Sequence, residues 1–282
     1  MKQYLDLVRR TLDEGYRHAP DTERTGTGCV RILGPQLRFN LKERFPLLTT
    51  RTVDWNTTVR ELLWFLSGST NYKTGHPSLE KWWQRDANPR GELGPIYGHQ
   101  WRKLQVDQLE HVINSIQTHA GSRRHVVSLW NVEHLSKQEL QCCHGLGVVF
   151  TVQDGDLHCN HFQRSGDLML GVPVNIASYA LLTHIIAKIC GLGVGEYIHT
   201  IADAHIYDNQ VPAARELIER LPQPQNTHVK LSKYVTKENI LALKTKLDVG
   251  DFRLEGYAPQ GPLSTKIPLN TTTVNDGEKE KP

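Results

Sequence analysis

The sequence has no strong excess of charge of either sign. Its 282 residues include 33 Lys and Arg against 30 Asp and Glu, which leaves a formal net charge of +3. This balance argues against a nucleic-acid partner, because nucleic-acid-binding domains usually carry a strongly basic surface. Local groups of arginines could still bind one small anion. We therefore expect a small ligand and no nucleic acid.

Long apolar runs and a disulfide framework are also missing. No stretch approaches the ~18 consecutive apolar residues of a membrane-spanning helix, so we expect no membrane partner. The first residues, MKQYLDLVRRTLDEG, have helical spacing and not the composition of a signal peptide. The five cysteines are an odd number, and two of them are adjacent. These features predict a protein of the reducing cytoplasm, or of the host cytoplasm if the source is viral.

The pattern of the chain predicts one domain that mixes helices and strands. Helical spacing predicts helices over residues 2–14, 58–68, 106–119 and 177–190. Strands are predicted over residues 29–40 and 46–53, in HVVSLWNV and in GEYIHTIADAH, with a strand, helix and strand over 228–256. No internal repeat is present. We predict a single domain over residues 1–268, a lid-like subdomain at 69–95 and a disordered polar tail at 269–282.

The stretch from Cys142 to Tyr179 concentrates groups of different chemistry. It offers a thiolate nucleophile at Cys143 or its neighbour, a guanidinium at Arg164 and an amide at Asn175. A planar heterocycle that carries a phosphate would use such a set, with arginines for the phosphate and the thiolate for covalent attack.

Other candidates are open to two interpretations at this stage. Arg24 lies in a polar, glycine-containing loop that either binds an oxyanion or is an ordinary surface loop. The adjacent Arg123 and Arg124 form either an anion clamp or a solvated turn. Glu61, within an apolar helix, is either a surface carboxylate or a buried acid with a raised pKa.

The sequence resembles thymidylate synthases along nearly its whole length. The matching segments are RTGTG, FPLLTTR, ELLWFLSGSTN, GELGPIYGHQW, SRRH, the Cys-His pair, QRSGDLMLGVPVNIASYALL and DAHIYDN. The resemblance implies an α+β fold with a large bent mixed sheet packed by helices, and a homodimer formed through that sheet. It also implies dUMP and 5,10-methylenetetrahydrofolate as substrates, with no metal.

The resemblance further implies a role for each matching residue. The implied catalytic residues are Cys143, which would attack C6 of the uracil ring, and Glu61, Tyr97 and His144, which would serve the proton transfers. The implied dUMP-binding residues are Arg24, Arg123, Arg124, Arg164, Ser165, Asp167, Asn175, His205 and Tyr207. Of these, Arg123 and Arg124 would reach over from the other subunit. The implied folate-binding residues are Arg51, Trp83, Leu140, Asp167 and Gly171. An asparagine at position 175 favours dUMP over dCMP, since the related dCMP hydroxymethylases carry aspartate there.

The chain departs from the family pattern near the chemistry. Cys142 replaces a proline, one extra residue precedes the Asp154-Gly155 turn, and Val174 and Asp86 replace aromatic residues. The family's short apolar tail, whose terminal carboxylate helps to seal the site, continues here as a polar extension. A poorly sealed site would let water capture the one-carbon unit. We therefore predict a dUMP hydroxymethyltransferase, with thymidylate synthase as the alternative.

Parts of the sequence are compatible with two other functions. The residues His144, His158, Cys159 and His161, with the two adjacent cysteines, suggest a zinc site, but neighbouring strand residues point to opposite faces. A protein that binds nucleotides without catalysis is a second alternative. The presence of Cys143, Glu61, Tyr97 and Asn175 together argues against it.

Overall fold

The computed structural model describes residues 1–19, 25–140, 144–223, 226–242 and 246–270. The helices are α1 Lys2–Glu14, α2 Trp55–Leu66, α3 Glu80–Trp83, α4 Tyr97–Arg102, α5 Gln108–Thr118, α6 Gly171–Cys190, α7 Val211–Glu219 and α8 Lys237–Leu241. The strands are β1 Tyr16–His18, β2 Cys29–Leu33, β3 Gln36–Asn40, β4 Val126–Ser128, β5 Gly147–Gln153, β6 Asp156–Asp167, β7 Gly193–Tyr207, β8 His228–Leu231 and β9 Phe252–Glu255.

Seven of these strands form one mixed sheet. Its order is β1-β2-β7-β6-β5-β4, and β3 pairs with the first half of β7 while β2 pairs with the second half. The β6–β7 pair is parallel, and the other pairs of this sheet are antiparallel. Strands β8 and β9 form a separate antiparallel pair. The predicted α+β class with a large mixed sheet is confirmed.

Helix α6 is the centre of the core. Its 20 residues are apolar enough to pass a length and composition test for a membrane span, yet 78% of its apolar window is buried inside the fold. It ends at Gly191, which takes the left-handed conformation at φ 68° and so closes the helix without a Cβ penalty. Since α6 follows β6 after a short turn, its first turns stand beside the end of that strand.

Helices α2 and α4 approach each other unusually closely. Asp54 caps α2 by accepting a hydrogen bond from the Thr57 N–H at 3.0 Å. On α4, a Cβ at Gly98 would overlap the carbonyl oxygen of Phe65 in α2. The preceding residue, Tyr97, is buried with φ at 28°, a conformation that non-glycine residues seldom adopt. The contact therefore requires glycine at position 98.

Two sequence predictions need correction. Residues 46–53 do not form a strand: Leu47 and Leu48 are buried, but the backbone nearby bonds to irregular segments, as in the Gln260 N–H donated to the Thr49 carbonyl at 2.8 Å. An apolar run fills the core here without a neighbouring strand. The helix predicted at 177–190 begins at Gly171 instead, because a proline in the first turn of a helix is tolerated there.

Candidate active site

Some of the predicted residues cannot be placed. Arg24, Cys142 and Cys143 lie outside the described residues, so the roles predicted for them stay predictions. The neighbour of Cys143, His144, is described and is 4% exposed. The site can therefore be built from the residues that surround His144.

Glu61, Trp83, Tyr97 and His144 form one cluster, although they come from α2, α3, α4 and the segment before β5. The Trp83 indole N–H donates to Glu61 Oε1 at 3.0 Å. The Trp83 and Tyr97 rings meet edge-on with centroids 5.6 Å apart, and Tyr97 stacks on His144 at 4.2 Å. Phe65 packs against the cluster and stacks on Tyr97, with ring centroids 4.7 Å apart. Three of the four predicted catalytic residues are thus brought together, in an aromatic setting.

The protonation of this cluster follows from its surroundings. Burial raises the pKa of Glu61 to about 7, against the opposing effect of the Trp83 hydrogen bond, which favours the charged form. Burial, and then the nearby His161, hold the pKa of His144 well below its usual value. Glu61 can therefore exchange a proton near neutral pH, whereas His144 stays neutral. A carboxyl group poised near pH 7 suits general acid–base chemistry.

Hydrogen bonds fix the amide of Asn175, which lies early in α6 and is 6% exposed. The Ser165 carbonyl can only accept, so the Gln163 atom 2.7 Å away is the amide nitrogen. The same nitrogen donates to Asn175 Oδ1 at 3.1 Å. Gln163 Oε1 in turn accepts from His199 Nε2 at 2.8 Å. Asn175 therefore offers a ligand its NH₂ group and one oxygen lone pair, the complement of a ring N–H beside a carbonyl.

A stack of buried histidines supports this arrangement, and the sequence analysis missed its role. His161 and His199 are paired in the β6–β7 register, are fully buried, and stack with ring centroids 4.7 Å apart. The His161 Nε2–H donates to the His144 carbonyl at 3.3 Å, so its Nδ1 accepts from the Tyr197 hydroxyl at 3.0 Å. Burial lowers the pKa of His161 to about 3 and that of His199 well below normal. The sequence signal for this role was a histidine at an inward-facing position on each of two strands.

His205 and Tyr207 lie together at the end of β7. Their rings meet edge-on at 5.0 Å. His205 Nδ1 donates to Asp203 Oδ1 at 3.1 Å, and Arg31 donates to the other oxygen of Asp203 at 3.0 Å. Burial would raise the pKa of Asp203, but the hydrogen bond and charge of His205, together with Arg31, hold it below its usual value. The sequence analysis did not foresee that Asp203 orients His205.

The predicted anion-binding arginines fall into two groups. Arg164, on β6, carries a half-buried guanidinium that lies over the Trp130 ring at 5.4 Å, and its Nε has no hydrogen-bond partner. Arg123 and Arg124 are exposed in the turn before β4 and make no ion pair with a described residue. Among the described residues, no hydrogen bond or ion pair connects Arg164 with Arg123 or Arg124. Such unpaired cations are available to an anion.

Three of the five predicted folate residues, Asp167, Arg51 and Gly171, lie at the turn between β6 and α6. Asp167 Oδ1 accepts from the Met169 and Leu170 N–H groups at 2.8 and 3.1 Å. Arg51 donates to the Met169 carbonyl, and its Nε is buried without a partner. Gly171 begins α6 beside Asn175, while Leu140 is partly buried against the core. Asp167 is thus held by two backbone N–H donors, and Arg51 keeps one buried guanidinium N–H without a partner.

Residues 257–270, which we call the C-terminal strap, run without helix or strand over α7. Glu216 Oε1 accepts from the Ser264 N–H at 2.8 Å and Glu216 Oε2 from the Thr265 N–H at 2.9 Å. These backbone donors lower the pKa of Glu216 to about 2. Further along, the side-chain amides of Asn209 and Asn270 bond reciprocally at 2.7 and 3.0 Å. Glu216 and Asn209 are therefore two of the residues that anchor the strap.

The residues that depart from the family pattern take ordinary positions. Val174 is partly buried against the core, and Asp86 ends the short helical turn Gln84–Asp86 after Trp83. Within the described ranges, no group of three His, Cys, Asp or Glu side chains is placed to hold a metal ion. His158 instead accepts a hydrogen bond from the Glu196 N–H at 3.1 Å.

A comparison with protein families agrees with this geometry. The family model described as thymidylate synthase matches residues 2–269. The match includes both sides of the Glu61–His144 cluster, the Asn175 amide and nearly all of the strap. Members of this family are one-carbon transferases that act on dUMP with methylenetetrahydrofolate as co-substrate. The chain belongs to the thymidylate synthase family.

Proposed function

We propose that this protein transfers the one-carbon unit of 5,10-methylenetetrahydrofolate to C5 of dUMP and releases 5-hydroxymethyl-dUMP. The observation that carries the choice of nucleotide is the fixed amide of Asn175. Its NH₂ group can donate to uracil O4, and its oxygen can accept from uracil N3–H. In cytosine, the amino group at C4 would face the NH₂ group of Asn175. Two buried donors would then lack an acceptor, which lowers the affinity.

The proposed chemistry begins with covalent attack. The thiolate of Cys143 adds to C6 of the uracil ring, and the negative charge that moves to C5 and O4 makes C5 nucleophilic. Methylenetetrahydrofolate supplies the carbon that C5 captures. Glu61, whose pKa of about 7 suits both directions of proton transfer, serves O4 and C5 together with Tyr97. Loss of the C5 proton and of tetrahydrofolate leaves an exocyclic methylene on the nucleotide.

The fate of this methylene decides the product. In hydroxymethylation, water adds its oxygen to the methylene and the Cys143 thiolate leaves C6. In reductive methylation, a hydride from tetrahydrofolate reaches the same carbon and dihydrofolate is formed. Val174, which replaces an aromatic wall, and the polar extension of the tail support water capture. The strap is the specific observation that favours the alternative, thymidylate synthase, because its hydrogen bonds to Glu216 and Asn209 hold it in place, and a held tail would limit the access of water.

We also propose a cytoplasmic homodimer in which Arg123 and Arg124 complete the phosphate site of the partner. Val126 and Phe162, 44% and 41% exposed, lie on the same face of the sheet, and an exposed apolar sheet face suits a second copy of the chain. Mixing a Cys143→Ser subunit with a subunit that carries Arg123→Ala and Arg124→Ala should restore activity through hybrid dimers. No recovery in mixtures that form hybrids would contradict the shared site.

Mass spectrometry of the nucleotide product tests the reaction. After incubation of dUMP with methylenetetrahydrofolate, a product heavier by one CH₂O unit, without dihydrofolate absorbance, is expected. A product heavier by one CH₂ unit, with dihydrofolate formed, identifies a thymidylate synthase. No change in dUMP would contradict both.

A further inference from the structure

Gln210, which the predicted site does not include, connects three parts of that site. It lies at the end of the helical turn Asp208–Gln210 after β7 and is fully buried. Its Nε2 donates to Asp167 Oδ2 at 3.0 Å and to the Pro268 carbonyl of the strap at 3.0 Å. Its Oε1 accepts from the Tyr207 N–H at 3.3 Å. One amide therefore bonds the residues at the folate end, at the nucleotide end and in the strap.

The chemistry of these partners leaves the amide only one orientation. The carboxylate oxygen of Asp167 and the carbonyl of Pro268 are both acceptors, so each must face the NH₂ group of Gln210. Both hydrogens of that group are used. A shift of the Asp167 carboxylate consequently changes the bond to the strap, and a shift of the strap changes the bond to Asp167.

We propose that Gln210 is a positioning residue that couples folate binding at Asp167 to the seating of the C-terminal strap at Pro268. This inference rests on the proposed function, because it takes Asp167 as a folate contact. Linkage then requires reciprocity: reduced folate that orders Asp167 also stabilises the strap, and a seated strap favours folate by the same factor. The bond at Pro268 needs only a backbone carbonyl. Gln210 can therefore hold the strap without a terminal carboxylate, in a chain that continues beyond the point at which the family usually ends.

Two substitutions separate this role from simple packing. Gln210→Met keeps most of the side-chain volume but removes both donors. Gln210→Glu keeps an oxygen for the Tyr207 N–H and turns the other oxygen toward two acceptors, so it should impair the coupling more than Gln210→Met. Asn209→Ala is the matched control, since it removes the strap contact at Asn270 and leaves Asp167 untouched.

Hydrogen exchange of residues 257–270 in the full-length protein, with saturating dUMP and with or without tetrahydrofolate, measures the coupling. We expect tetrahydrofolate to slow strap exchange in the wild type and in Asn209→Ala. The slowing should be about tenfold smaller in Gln210→Met and smaller still in Gln210→Glu. The KM for methylenetetrahydrofolate should rise about tenfold in Gln210→Met and further in Gln210→Glu. Equal folate-dependent protection in Gln210→Met and wild type would overturn this inference alone. A wild type that binds neither ligand would overturn the proposed function as well.

Discussion

The indole N–H of Trp83 reaches across from α3 to the carboxylate of Glu61 on α2 at 3.0 Å. The bond stabilises the charged form of a carboxyl group whose pKa burial raises to about 7. Removing the Trp83 N–H donor should therefore raise the pKa of Glu61.

Trp83→Phe should raise the pKa of Glu61 further. Without the N–H donor, only desolvation acts on the carboxyl group, and loss of one such bond corresponds to about one pH unit. The dependence of kcat on pH should shift upward by that amount. Trp82→Phe, the neighbouring tryptophan that makes no hydrogen bond through its own N–H, is the control. An unchanged profile in Trp83→Phe would show that Glu61 does not set the pH dependence.

Asn175→Asp should move the substrate preference from dUMP toward dCMP. Gln163 can still donate to the new carboxylate, but the NH₂ group that faces uracil O4 is lost. We expect the ratio of kcat/KM for dUMP over dCMP to fall by about a hundredfold or more. Asn131→Asp makes the same chemical change at a residue that caps the turn Val132–Lys137 through its oxygen, and it should leave the ratio unaltered. Unchanged selectivity in Asn175→Asp would refute the base-reading role.

Cys143→Ser should abolish turnover, whereas Cys142→Ser should not. A serine hydroxyl is a far weaker nucleophile than a thiolate toward uracil C6. Covalent trapping of 5-fluoro-dUMP with methylenetetrahydrofolate, followed by intact-protein mass spectrometry, separates the two cysteines. Equal loss of the adduct in both variants would undo the choice of nucleophile.

The buried histidines should make the protein less stable in mild acid. His144, His161 and His199 have pKa values far below those of the unfolded chain, so below pH ~6.5 the unfolded state takes up protons that the folded state does not. Each such group lowers the free energy of unfolding by about 1.4 kcal/mol per pH unit. Glu61, with its raised pKa, acts in the opposite sense between pH 4.5 and about 7.

Replacing one of these histidines should reduce this dependence. In His161→Phe, the decrease in unfolding free energy between pH 6 and 5 should be smaller by about 1.4 kcal/mol, whatever the loss of stability at pH 7. Urea denaturation at the two pH values measures the difference. A slope equal to that of the wild type would mean that His161 takes up its proton in the folded protein as readily as in the unfolded chain.

The limits of the sequence are clearest at individual residues. Spacing was sufficient for α1 and for the mixed class of the fold, because both depend on local periodicity. The alternatives for Glu61 stayed open, since burial of one helix face depends on α3 and α4, which are distant in sequence. The resemblance pointed to Asn175, but the residues that orient its amide, Gln163 and His199, come from two strands whose register no sequence pattern specified.

Gln210 and Asp203 were missed for a related reason. Each acts on a side chain that was predicted, through hydrogen bonds that only the folded chain defines. The predicted strand at 46–53 was wrong because alternation indicates burial and not the identity of the backbone's hydrogen-bond partner.

The close contact of α2 with α4 has a consequence for how this active site can vary. Glu61 and Tyr97 stand on different helices, and the distance between those helices depends on the hydrogen atom that Gly98 has in place of a side chain. Even Ala at position 98 would push the helices apart and separate the acid from the phenol. The chemistry of the site thus constrains a residue that touches neither substrate, so mutational scanning should find position 98 as intolerant as the reacting groups themselves.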